Sequence, residues 1–100
     1  MALQQTLRSI ETEVTKLIQS EIKKKGLVKT GKLLNSISTQ VSMNSTGSIS
    51  IKVSGEDYYD ELDDRYRITE DAFNSSGFRI ISDLIQTAVA EYIQDNLSKN

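Results

Sequence analysis

Cysteine and histidine are both missing from this chain of 100 residues. Without cysteine there is no disulfide framework, no thiolate metal site and no thiol nucleophile. Without histidine, the usual general base near neutral pH and the commonest metal ligand are lost as well. Neither common glycine-rich phosphate loop occurs, and no apolar run approaches the length of about 20 residues needed to cross a bilayer. The N-terminus, Met1-Ala2-Leu3-Gln4-Gln5-Thr6, lacks the basic start and apolar block of a secretory signal. These absences predict a protein that is not an enzyme, needs no cofactor or metal, has no membrane segment, and is made and used in a cytoplasm. Apolar residues are also few, at 37%, against roughly 45–50% in globular chains when glycine is counted. A chain of this length buries only about 60–65% of its unfolded surface. An ordinary small domain with a thin core and an extended shape completed by neighbours both fit that composition.

What is present falls into a clear order. Leu3, Leu7, Ile10, Val14, Leu17, Ile18 and Ile22 recur at spacings of three and four, with polar residues between them. This predicts a helix over about residues 3–25. Lys23, Lys24 and Lys25 suit the negative end of its dipole, and Gly26 suits the position just past its end. Leu27 and Val28 read as a short extended piece returning to the core. A short helix follows at about 30–36, with Thr30 as its N-cap and Gly31 allowing a sharp turn. Leu33, Leu34 and Ile37 are close enough along the chain to be buried together against a sheet.

Two alternating runs come next, Ile37 to Met43 and Ile49 to Val53, joined by Asn44-Ser45-Thr46-Gly47. They predict a β-hairpin over about 37–54. Phe78, Ile81, Leu84, Ile85, Ala88, Val89, Tyr92 and Ile93 predict a last helix over about 77–96. Ser75 or Ser76 is its expected cap, and the tail from Asn96 onward is expected to fray. Residues 55–76 read as a loop, with Tyr58–Leu62 either a helical turn or irregular. Tyr66-Arg67-Ile68-Thr69 has the character of a third strand, and Glu70–Phe73 that of a turn and linker. The expected fold is a single α+β domain over 1–100: long helix, short helix, antiparallel hairpin or small three- to four-stranded sheet, long helix.

Charge is unevenly placed. Residues 1–33 carry seven cations and three anions, whereas residues 56–71 carry eight anions and two cations. Such polarity can steer copies of one chain head to tail. Lys23, Lys24, Lys25, Lys29 and Lys32 could bind nucleic-acid phosphates. The overall acidity and the lack of a recognition motif favour a solvated helix end or a protein contact. Asp60, Glu61, Asp63 and Asp64 offer hard oxygen ligands, but their spacing does not fit a calcium loop, and a solvated face or protein interface is the better reading. Tyr58 and Tyr59 cannot both enter one small core from an extended segment. Either one packs inward and the other anchors a subunit contact, or both lie flat over the chain's own surface.

The order of these elements, with Thr30-Gly31-Lys32-Leu33-Leu34-Asn35-Ser36 ahead of the hairpin, resembles the head–tail joining family of tailed bacteriophages, also called tail-completion or neck proteins. A Thr-Gly-(Lys/Arg)-Leu-x-x-Ser segment precedes the hairpin in that family, and a tyrosine-bearing acidic stretch follows, for which Tyr58-Tyr59-Asp60-Glu61 stands here. The chain departs from the family in having no proline ahead of the last helix, and Asp63-Asp64-Arg65 where a glycine is usual.

The resemblance implies a structural virion protein, assembled in the host cytoplasm into a homo-oligomeric ring, six- or twelvefold, at the head–tail junction. It further implies portal-bound connector and tail-tube proteins as partners, and DNA passing through the lumen with non-specific contacts. Gly26, Thr30, Gly31, Leu33 and Ser36 would then form the structural turn. The basic residues Lys23–Lys32 and the segment Tyr58–Asp64 would form the subunit interface, with Lys23–Lys32 of one copy facing Glu56–Asp64 of the next. Two other classes compete: a soluble adaptor binding partner helices, and a small DNA binder using its lysines.

Overall fold

In a computed structural model, which describes residues 2–27 and 31–98, the first apolar stripe forms helix α1, Ala2–Lys24. Leu7, Ile10, Val14, Ile18 and Ile22 are its buried apolar residues, and the spacing that predicted the helix is the spacing that fills the core. Lys25 and Gly26 close it: the Gly26 amide reaches the Lys23 carbonyl at 3.0 Å and the Leu27 amide the Ile22 carbonyl at 3.1 Å. Gly26 stands at φ 70°, the left-handed conformation in which glycine carries no side-chain penalty.

Helix α2, Lys32–Ser36, begins after Gly31, which occupies the cap position at φ 79° without a side-chain hydrogen bond. Val28, Lys29 and Thr30 lie outside the described residues, so the extended piece and the threonine cap expected there fall beyond the description. Leu33 and Ile37 are buried and Leu34 half-buried, so this turn seats its apolar residues on the core together. Strands β1, Ser38–Met43, and β2, Ile49–Ser54, then pair antiparallel, with Val41 opposite Ile51 and Ser38 opposite Ser54. The Asn44 amide donates to the Ser48 carbonyl at 2.9 Å. That bond sets the phase of the ladder. Even-numbered residues of both strands exchange hydrogen bonds, while the backbone groups of Thr39, Val41 and Met43, and of Ile49, Ile51 and Val53, point outward.

The sheet has two strands among the described residues, not three or four. The expected third strand at Tyr66–Thr69, the loop over 55–76 and the linker at Glu70–Phe73 are replaced by two short helices, α3, Tyr59–Tyr66, and α4, Ile68–Phe73. Arg67 divides them in the left-handed region, at φ 54°. The physical reason lies at Asp63. Its carbonyl accepts the Arg67 amide at 2.7 Å, and its carboxylate accepts both the Thr69 amide (2.7 Å) and the Thr69 hydroxyl (2.9 Å), which caps the first turn of α4. Tyr59, Ile68 and Ala72 thereby all turn into the core.

The last helix, α5, runs Phe78–Ser98. The Ser75 hydroxyl, expected as a cap, instead donates to the Ala72 carbonyl at 2.6 Å, and its carbonyl receives the Phe78 amide. The stretch Asn96–Ser98, expected to fray, is helical. Helix α5 lies along α1: the Thr6 hydroxyl donates to Glu91 at 2.6 Å near one end, and Gly77 approaches Leu17 at the other. A Cβ at Gly77 would stand 2.7 Å from Leu17 Cδ1, so a larger residue there requires the end of the Leu17 side chain to shift. Phe73 stacks on Phe78 at 5.0 Å between ring centres, which ties α4 to the start of α5.

The resulting body measures 53 × 26 × 20 Å, with a radius of gyration of 15.0 Å. A compact chain of this length has about 13 Å. Helix α1, roughly 34 Å long at about 1.5 Å per residue, spans most of that length and touches β1, α4 and α5.

Candidate functional site

The turn motif is built as a clamp between the first helix and the hairpin. The Ser36 hydroxyl donates to the Leu33 carbonyl at 2.7 Å and accepts the Glu56 amide at 3.0 Å, so one side chain ties the end of α2 to the segment leaving β2. Gly55 makes that approach feasible, because a Cβ there would meet Ile37 at 3.0 Å and the Ser36 oxygen at 3.1 Å. From α1, Gln19 donates to the Leu34 carbonyl at 3.0 Å. The motif therefore fixes the direction in which the hairpin leaves the helix.

Helix α1 then guides the first strand. The Thr15 and Thr39 hydroxyls lie 2.8 Å apart, and the Glu11 carboxylate accepts the outward amide of Val41 at 2.9 Å. At the hairpin tip, Asn44 accepts the Thr46 and Ser48 amides, each at 3.0 Å, Gly47 turns at φ 84°, and the Tyr92 hydroxyl donates to the Ser45 carbonyl at 2.8 Å.

The basic segment divides into inward and outward residues. Lys25 is engaged within the chain, 2.6 Å from Asp71 of α4 and 3.4 Å from Glu21, which is itself buried. The hydrogen bond to Asp71 raises the Lys25 pKa above its ordinary value, and the same bond lowers that of Asp71. Lys32 lies 3.5 Å from Glu56. Lys23 and Lys24 are exposed. Lys29 lies outside the described residues. Two of the five lysines expected to face a neighbouring copy thus already face acids of their own chain.

The acidic segment divides in the same way. Asp63 caps α4, whereas Asp60, Glu61 and Asp64 are exposed on α3. They border an open depression completed by Arg67, Thr69 and Glu70. No group of three or more acids among the described residues is arranged to hold a metal ion. The adjacent tyrosines separate, with Tyr58 at the cap of α3 and Tyr59 as its first residue rather than in an extended segment. Tyr59 is 2% exposed, with its hydroxyl 2.9 Å from that of Thr69, while Tyr58 is 42% exposed. Burial raises the Tyr59 pKa above the ordinary phenol value. Tyr66 points outward as well, at 41% exposure.

The chain's outer surface carries a second apolar feature, which includes Ile93 of the stripe that predicted the last helix. Ile93 and Leu97, one helical turn apart on α5, are 53% and 65% exposed. Glu11, Gly55 and Asp71 also emerged only from the structure. The spacing of Glu21 and Lys25 was a readable signal for the α1 ion pair, but no local pattern points to Asp71, which lies 46 residues from Lys25. No helix among the described residues is long and apolar enough to cross a membrane. Comparison with models of protein families, with curated proteins and with solved structures finds no match to this chain.

Proposed function

We propose that this chain is a structural protein of a tailed bacteriophage that forms a ring at the head–tail junction. The observation that carries the reading is the order of elements around one motif: long helix, Thr-Gly-Lys-Leu-Leu-Asn-Ser turn, hairpin, long helix. The motif's Gly31, Leu33 and Ser36 hold the hairpin at a set angle to α1, as a repeated building unit requires. The elongated body, the exposed apolar residues of α5 and the opposite charges of the early and middle segments suit a subunit completed by its neighbours.

Within this proposal the ring contact is narrower than the charge count suggests. Lys25 and Lys32 pair within the chain, so Lys23 and Lys24 of one copy face Asp60, Glu61 and Asp64 of the next, with Tyr58 as the aromatic anchor. Light scattering of the purified chain, alone and mixed with connector and tail-tube proteins of tailed phages, tests the reading. A closed ring, formed alone or on the connector, supports it. Reversing Lys23 and Lys24 to glutamate is expected to dissolve that ring. A chain that stays monomeric and binds none of these proteins would overturn the proposal.

A further inference from the structure

The two edges of the hairpin are not alike. On β1 the outward amide of Val41 is closed by the Glu11 carboxylate of α1. On β2 the outward amides and carbonyls of Ile49, Ile51 and Val53 have no hydrogen-bond partner among the described residues. Their side chains are only half-buried, and Ser50, Lys52 and Ser54 on the opposite face are exposed. Natural edges are commonly shielded by charged side chains, lysine above all, by proline, by a bulge or by a covering element, and of these β2 carries only Lys52. Here the register runs without a bulge from Ser38–Ser54 to Met43–Ile49, and the chain has no proline.

From this we infer that β2 pairs with β2 of a second copy, antiparallel and centred on Ile51, making one four-stranded sheet. The occupant follows from the sequence of the strand, Ile49-Ser50-Ile51-Lys52-Val53. Only odd-numbered residues have outward backbone groups, so the hydrogen-bonded pairs across the new edge must be odd with odd. Centring on Ile51 places Ile51 opposite Ile51 and Ile49 opposite Val53, continuing the apolar row across both hairpins. It also places Lys52 opposite Ser50 on the outer face. Parallel pairing in register would set Lys52 against Lys52, a like-charge pair that opposes association. The strand is thus compatible with its own antiparallel copy, and the contact is two-fold. It stands independently of the ring proposed above, whose contact lies on α1 and α3.

Sedimentation equilibrium of the purified chain, combined with amide hydrogen exchange, tests this. Protection of the Ile49, Ile51 and Val53 amides is expected to rise with concentration in the wild-type chain, and the chain with Lys23 and Lys24 reversed, which forms no ring, is expected to show a monomer–dimer equilibrium. Ser50→Lys sets a lysine against Lys52 of the other copy twice over, and at low salt weakens the dimer by roughly two- to thirtyfold. Ser50→Glu strengthens it by a similar factor. Ser50 is exposed, and far-UV circular dichroism verifies that both variants keep the fold. A chain that shows no dimer at any concentration overturns the inference. So does a dimer in which the Ile51 amide stays unprotected, or in which the two Ser50 variants shift the equilibrium in the same direction. Reversal of Lys23 and Lys24 leaves Ile51 protection unchanged, so the failure of either reading is visible by itself.

Discussion

The helical part of this molecule and its hairpin use similar residues to different effect. Ile10, Val14, Ile18, Ile22, Ile68 and Ile81 are at most 1% exposed, enclosed where α1, α4 and α5 meet. Val41, Met43, Ile49, Ile51 and Val53 are as apolar, and all of them are only half-buried. A helix stripe can be covered from two sides, because neighbouring helices pack along both flanks. A two-stranded ribbon has one apolar face and is too narrow to close a core. Stability is therefore concentrated in the helices.

The largest expected effect separates these two halves directly. Ile18→Ala should cost about 2–5 kcal/mol in urea unfolding, whereas Val53→Ala, at a half-exposed position, should cost about 1 kcal/mol. Equal costs would mean that the hairpin is as much part of the core as the helices are. Next comes Asp63→Ala, which removes the carboxylate that caps α4 and should lower stability by about 0.5–2 kcal/mol. A thermal melt reads this, and Asp63→Asn should recover part of the loss if capping is the cause.

Glu11→Ala should cost about 1 kcal/mol by freeing the Val41 amide. Its sharper signature is faster hydrogen exchange at Val41, which would make the edge of β1 as open as that of β2. The smallest effect is in the pH dependence. The folded pKa of Asp71 is lowered, so its contribution is present above about pH 4, the unfolded value, and is lost as pH falls through the folded value. That of Lys25 is raised, so its contribution is present below about pH 10.4 and is lost as pH rises through the folded value. Asp71→Asn should flatten the acid limb of the stability curve in step with this, as measured by urea midpoints across pH. An acid limb identical to wild type would show that the pair adds nothing.

How far the fold could be read in advance differed from segment to segment, for identifiable reasons. Helices α1 and α5 were placed to within about two residues because each repeats its apolar spacing over several turns. The hairpin was equally plain, since alternation on both sides of a glycine-bearing turn admits few other structures. Residues 55–76 misled because Tyr66-Arg67-Ile68-Thr69 looks like a strand locally. Its helical identity depends on Arg67 adopting a left-handed conformation and on Asp63 reaching Thr69, and neither leaves a periodic trace. The candidate surface shows the same division. The lysines and acids were visible as charge, but which of them face their own chain was not.

By itself, the sequence decided the two long helices, the hairpin and their order, and the absence of cysteine and histidine chemistry, because these depend on local spacing and on composition. Only the tertiary structure decided that Lys25 meets Asp71, that Tyr59 turns in while Tyr58 turns out, and that Glu11 of α1 takes the outward Val41 amide of β1. Such contacts join residues distant along the chain, and they arise from how packed elements bring their faces together rather than from any pattern within one element.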